Sequence, residues 1–304
     1  MAHNAQVTDT DRLVLGTAQL TTAYGVANRV GKLGAEEALA LLDAAWNAGI
    51  RTFDTAQAYG DSERTIGEWC RLTGARPRIV TKLAADVDQA SSAAVMEATQ
   101  ASAERLGVAI DSLLLHDPRA LERWDRGVGE ALAATRAAGL VRRIGVSVYA
   151  PAEALRAAEL GLEVVQAPYN ALDRRFADGV VQSLSVAGVE LHLRSTLLQG
   201  LLVLSPDDLP SPLGEQARSQ LVPWHELCEK AALPPAEVAL RFVLQSVPHA
   251  RVVIGAETVA QIEEIAAVAR AQPLVSEIFD AILALPRSPA SVVDPRRWPT
   301  SPGG

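Results

Sequence analysis

The chain has 304 residues, 49% of them hydrophobic and 21% charged, and a net charge of −8. That balance gives no pull toward nucleic acid or an anionic membrane, and no basic run interleaved with aromatics occurs. The N-terminus is polar, no run of about eighteen apolar residues exists, and Cys70 and Cys228 show no metal-ligand spacing with the histidines. The reading is a reduced, cytoplasmic protein without a metal site.

A short apolar strand followed by a helical stretch repeats along the chain. "RLVLGTA" reads as a strand and "GAEEALALLDAAWNAG" as an amphipathic helix. "IRTFD" then "SERTIGEWCRLTG", "RIVTKL" then "SSAAVMEATQASAERLG", and "IDSLLLHD" then "GVGEALAATRAAG" follow the same rhythm. "VRRIGVSVY" precedes a helix that opens on Pro151. "LEVVQAPYN" precedes "RRFADGVVQSLSVAG". "VELHLRS" leads into a long Pro- and Gly-bearing loop to about Ser219. Helices at roughly 220–231 and 235–246, the strand "ARVVIGA" and the helix "TVAQIEEIAAVARA" complete the series. Eight such units in about 270 residues predict a (β/α)8 TIM barrel as a single domain. The barrel runs over about 12–271, and a C-terminal helix and tail over about 272–304. A doubly wound sheet is disfavoured, because no Gly-rich phosphate loop follows the first strand.

The C-terminal strand ends of such a barrel form its working face. Strand two delivers Asp54, with Tyr59 in the turn after it, strand three Lys82 and strand four His116. A lysine ending an apolar strand needs a carboxylate partner, and Asp54 lies on the neighbouring strand. A cation beside a phenol favours the phenolate and makes the hydroxyl a usable proton donor near neutral pH. A histidine one strand further can orient a carbonyl oxygen. Taken singly, each has a structural reading: an ion pair, a turn residue, a core histidine. Together at three successive strand ends they point to protonation of a carbonyl oxygen while hydride reaches its carbon. No side chain supplies hydride, so a nicotinamide cofactor is implied.

"FDTAQAYGDSE", "IVTKL" and "LLLHDP", with "IGVSVY", "VVQAPYNALDRR", "LHLRSTLLQGLL" and "VVIGAETVAQIEEI", resemble the aldo-keto reductase family from about Leu13 to Arg270. The resemblance implies Tyr59 as general acid, Asp54 and Lys82 tuning it and His116 positioning the carbonyl. It implies NAD(P)H extended across the strand ends, with Ser147 and Gln166 at the nicotinamide carboxamide. Arg194, Ser195, Leu197 and Gly200 after strand seven, and Gly255, Ala256, Thr258, Gln261 and Glu264 after strand eight, complete the cofactor positions. Gln19, Tyr24 and Asp117 are the candidates for lining the substrate pocket; their polarity suggests a sugar or another hydroxylated carbonyl.

Three positions depart from the family pattern. Val148 replaces an Asn beside Ser147, and Arg194 replaces an aromatic that stacks on the nicotinamide. Gly255 and Gln261 replace basic residues for the 2′-phosphate, with Glu257 between them. NADPH/NADP+ is expected, with a weak preference over NADH/NAD+. The helix start near Thr258 offers backbone N–H groups to the phosphate, and Arg296 and Arg297 in the tail are further candidates to fold over it. The partner is a small-molecule carbonyl substrate. The alternatives are a cofactor-binding regulatory subunit of the same fold, as the potassium-channel beta subunits suggest, and, less well supported, a metal-dependent barrel hydrolase.

Overall fold

The computed structural model describes residues 9–22, 25–28, 31–209 and 213–298. Eight strands form a closed barrel in sequence order: β1 Leu13–Gly16, β2 Thr52–Asp54, β3 Arg78–Leu83, β4 Ile110–Leu115, β5 Val141–Ser147, β6 Val164–Pro168, β7 Glu190–Arg194 and β8 Arg251–Ile254. Every pairing is parallel, and β1 closes onto β8 through Val14 opposite Val253. β2 and β4 are buried at every position, because one face packs on helices and the other fills the barrel. Gly145 lets β5 reach β6: a side chain there would meet the Val164 carbonyl at 2.1 Å.

The crossover helices are α1 Ala35–Asn47, α2 Ser62–Thr73, α3 Ser92–Leu106, α4 Val128–Ala137, α5 Pro151–Glu159 and α6 Val180–Val186, then α7 Gly214–Ala231, α8 Pro235–Ser246 and α9 Val259–Ala269. Gly74 and Gly107 end α2 and α3 in the left-handed region, as C-cap glycines do. Within the barrel, Val80, Leu114 and Val164 form a small apolar plug, while a larger core lies between strands and helices.

Three stretches differ from the sequence expectation. α7 starts at Gly214 rather than near residue 220, because Ala217, Leu221, Trp224 and Cys228 make a buried helical stripe that tolerates Pro223 inside it. A 3₁₀ turn over Leu198–Val203 occupies the start of the long loop. The expected helix from Arg174 shrinks to α6, because Arg174 is buried and spends its guanidinium on the carbonyls of Ala171 and Leu285.

After α9 come α10 Ser276–Ala284 and α11 Ala290–Val293, then a 3₁₀ turn over Pro295–Arg297. The tail is ordered by its own bonds: Asp294 is buried and accepts from Arg296 N at 3.2 Å, and Trp298 Nε1 donates to the Val292 carbonyl at 2.9 Å.

Candidate active site

Lys82 sits inside the barrel at the upper end of β3 and is fully buried. Its Nζ donates to Asp54 Oδ2 at 2.7 Å and to the Thr55 carbonyl at 2.9 Å. Burial pulls the ammonium's pKa down, but Asp54 and Tyr59 outweigh it and hold the group charged. The other Asp54 oxygen accepts from Gln166 Nε2 at 2.7 Å, so β2, β3 and β6 are tied by one carboxylate.

Tyr59 follows β2 in a turn in which its own N–H bonds the Ala56 carbonyl and its carbonyl accepts from Ser62 N and Thr21 Oγ1. Its ring lies 5.1 Å from Lys82 Nζ and meets the His116 ring edge-on at 5.8 Å. Among the described residues the Tyr59 hydroxyl has no hydrogen-bond partner, so it is free for a ligand. His116 is pushed down to about 4 by burial and by the Lys82 cation, and is therefore a neutral imidazole at physiological pH. The four residues singled out at the strand ends are thus brought together: a buried, paired lysine, an unpaired phenol above it and a neutral histidine beside both.

Ser147 and Gln166 are register partners on β5 and β6, and both are buried. Gln166 turns its amino group to Asp54, because a carboxylate only accepts. That leaves its Oε1, with the Ser147 hydroxyl beside it, unpartnered among the described residues. An acceptor and a donor side by side match the NH2 and C=O of a primary carboxamide. After β7 the backbone is left-handed at Ser195 (+60°), Leu198 (+49°), Gln199 (+53°) and Gly200 (+92°), and the buried Thr196 hydroxyl has no partner among the described residues. Within this loop Leu198 N and Gly200 N bond the Ser195 and Leu197 carbonyls at 2.8 and 2.9 Å, which leaves its other N–H groups to meet an anion. Leu197 lies half-buried in this loop, and Asn170 Nδ2 holds it through the Ser195 carbonyl at 3.0 Å. These features fit a dinucleotide.

Other expected positions are placed differently. The Arg194 guanidinium lies over the Tyr149 ring, 4.3 Å from its centroid, and donates to the Val148 carbonyl at 3.0 Å. The α9 start is partly self-satisfied: Thr258 Oγ1 accepts from Gln261 N at 3.2 Å, and Gln261 Oε1 accepts from Glu257 N at 2.7 Å. Ala256 is buried and Glu264 exposed. Gln19 packs on Gly255, where a side chain would meet its amide at 2.1 Å. Asp117 is engaged by Arg119 at 2.5 Å. Tyr24 lies outside the described residues. Arg296 stacks on Tyr149 after β5, 3.4 Å from its centroid, rather than at the α9 start. The sequence reading overlooked Tyr149; its signal was an aromatic two residues past a strand end.

A larger recess, about 510 Å³, lies on the flank between α2 and α3 and touches none of these groups. Among the described residues no cluster of His, Cys, Asp and Glu could hold a metal, and no helix is long and apolar enough to cross a membrane.

Known proteins carry the same pattern. The model of the aldo/keto reductase family matches residues 12–286. The chain belongs to the aldo-keto reductase family. It is 31% identical over 300 residues to a D-threo-aldose 1-dehydrogenase of Pseudomonas, covering 82% of this chain and 89% of that protein. It is 26% identical over 306 residues to the pyridoxal 4-dehydrogenase of Microbacterium luteolum, covering 83% and 87%. In fold it resembles an aldo-keto reductase from Bacillus halodurans in its holo form, with a TM-score of 0.72 at 23% identity over 94% of this chain and 95% of that one. The glycerol dehydrogenase of Gluconobacter oxydans gives 0.70 at 21% identity, over 96% and 94%. This aldo-keto reductase is an oxidoreductase with the family's barrel.

Proposed function

We propose that this aldo-keto reductase interconverts a hydroxylated aldehyde or ketone and its alcohol (or, from a cyclic aldose, the lactone) with a nicotinamide dinucleotide, using Tyr59 as the proton donor and acceptor. The observation that carries the reading is the buried Lys82, held charged by Asp54 beneath an unpartnered Tyr59 and beside a neutral His116. The cation stabilises the phenolate left when Tyr59 gives up its proton. A neutral imidazole can donate one hydrogen bond to the substrate oxygen without competing for that proton. Ser147 and Gln166 would hold the carboxamide and the loop from Arg194 to Gly200 the diphosphate; the reduced cofactor, when bound, supplies the hydride.

The D-threo-aldose dehydrogenase among its relatives supports a sugar-like substrate. For the cofactor, NADPH is proposed with only a narrow margin over NADH. Gly255 and Gln261 bring no charge, and Thr258 and Gln261 already occupy backbone donors of the α9 start. The two buried cysteines, with Cys228 pushed up to about 12 by burial, fit a cytoplasmic setting.

The test is a panel of aldoses, polyols and simple aldehydes offered with each cofactor, with cofactor binding followed by tryptophan fluorescence. Turnover of at least one hydroxylated carbonyl is expected. Tight cofactor binding with no turnover across the panel would favour the regulatory-subunit alternative instead.

A further inference from the structure

The polarity of the carboxamide site is set from the opposite wall of the barrel. Asp54 on β2 and Gln166 on β6 stand four strands apart in a ring of eight, so their hydrogen bond crosses the barrel. Asp54, Lys82, Ser147 and Gln166 are all buried, and the sheet fixes Gln166 between Ser147 on β5 and His192 on β7. The Asp54 carboxylate is divided between two donors. Its Oδ2 accepts from Lys82 Nζ at 2.7 Å, and its Oδ1 accepts from Gln166 Nε2 at 2.7 Å.

A glutamine amide has a donating end and an accepting end of nearly the same shape, and by itself it can present either one to a ligand. Asp54 removes the choice. A carboxylate only accepts, so the Gln166 NH2 is held toward β2 and its Oε1 is the atom left for a ligand. Turning the amide over would set two acceptors against each other in a buried site and leave Asp54 short of a bond to its charge. The site therefore offers an acceptor at Gln166 and, at Ser147, a hydroxyl that donates or accepts. A primary carboxamide satisfies both. A carboxylate on the same ring satisfies Ser147 but meets Gln166 acceptor to acceptor. The same logic gives the effect of neutralising Asp54. Lys82 only donates, so in Asp54→Asn it claims the oxygen of the new amide and leaves that amide's NH2 facing Gln166. Gln166 then turns its Oε1 inward and its Nε2 toward the ligand.

Resting on the cofactor reading above, we propose that Asp54, acting through Gln166, is a positioning residue that decides which pyridine ring the site accepts: it holds the Gln166 oxygen outward and so selects a 3-carboxamide over a 3-carboxylate. One carboxylate thus serves both halves of the site, Lys82 through one oxygen and the cofactor ring through the other.

The experiment measures binding by calorimetry, without turnover. The full chain is titrated with NAD+ and with nicotinic acid adenine dinucleotide, which differ only in the ring carboxamide, and then with the 2′-phosphorylated pair. The wild-type chain is expected to bind the carboxamide form about ten- to a hundredfold more tightly, the range of one charged hydrogen bond. In Asp54→Asn that ratio should fall to within a few fold of one, or invert. Gln166→Met removes the outward oxygen, so the ratio should drop there too, and adding Asp54→Asn to Gln166→Met should change it no further. Should Asp54→Asn not fold, the wild-type chain and Gln166→Met decide: a ratio that stays high in Gln166→Met overturns the proposal. So does equal binding of the two forms by the wild-type chain, or an unchanged ratio in Asp54→Asn. A ratio that Asp54→Asn lowers equally with and without Gln166 would show the bare Asp54 charge repelling the carboxylate, and this also overturns it. If none of the dinucleotides binds, the cofactor reading falls together with the proposal. Binding without discrimination sinks the proposal alone.

Discussion

At the lower end of the barrel, Glu190 on β7 takes hydrogen bonds from Arg78 (3.1 Å), Arg143 (2.7 Å), Arg251 (2.9 Å) and His192 Nε2 (2.7 Å). Asp111 on β4 is held by Arg78 at 3.4 Å and by Arg143. At the upper end, among the described residues, Lys82 has two partners for three N–H bonds, and Tyr59, His116, Ser147 and Gln166 Oε1 keep unused hydrogen-bonding capacity. Both ends bury charge. At the bottom both Glu190 oxygens and Asp111 Oδ2 are met by arginines, and among the described residues the buried nitrogens left unpaired there are Arg78 Nε and His192 Nδ1. At the top the groups with spare capacity gather around Lys82 at the strand ends. Saturated charge cements the barrel, whereas unsaturated charge at the strand ends is available to a ligand.

The largest effect should come from Lys82→Met. It removes the cation beneath Tyr59 and leaves Asp54 buried with Gln166 as its remaining side-chain donor. Breaking a buried pair from one side costs about 3–5 kcal/mol, so both activity and thermal midpoint should fall steeply. A stable, active Lys82→Met would erase the distinction between the two ends. Glu190→Gln should cost stability on the same order, because Arg78 and Arg143 then have only Asp111 and Arg251 loses its carboxylate, yet leave kcat per folded molecule unchanged. A matched loss of kcat would mean that the lower cluster reaches the chemistry. Asp54→Asn should do less harm than Lys82→Met, since the lysine keeps the Thr55 carbonyl; the opposite ranking would give Asp54 a direct chemical part.

The smallest effects are in pH. His116 has a folded pKa of about 4 against an ordinary 6.5. The unfolded chain therefore takes up a proton between those values that the folded chain refuses, and stability falls as pH drops through that window. His192, lowered by burial despite Glu190, adds in the same direction. Glu190 behaves in the usual carboxylate sense. Burial would raise its pKa, but bonds from His192 and Arg143 hold it far below the ordinary range. Its contribution is complete above about pH 4.3 and is lost only in stronger acid. Denaturation curves from pH 8 to 3 should show the histidine slope first, and His116→Gln should flatten it. The kcat profile should lack a step at 6.5; one there would show that His116 titrates normally.

Much of the upper end was legible in the sequence, because Asp54, Lys82 and His116 each interrupt an apolar strand at its last residues. The lower cluster was not. Arg78, Arg143 and Arg251 stand at or near strand starts, where an arginine reads as solvated, and only ring closure gathers them around Glu190. The Gln166–Asp54 bond spans 112 residues, so no local pattern announces it. The same holds for Arg296, whose seat on Tyr149 depends on how the tail returns across the mouth. The first turns of α7 were hidden by Pro210, Pro212 and Gly214, which read as a continuing loop up to about Ser219.

The central claim is that Tyr59 moves the proton while its neighbours hold it ready. Its most direct test is the single-turnover rate of Tyr59→Phe, followed by nicotinamide absorbance on a carbonyl that the wild-type chain reduces, with cofactor affinity and thermal midpoint measured on the same sample. The account predicts a rate lowered by about 10²–10⁴-fold, with affinity and midpoint close to those of the unaltered chain. A rate within a few fold of the unaltered chain would contradict it.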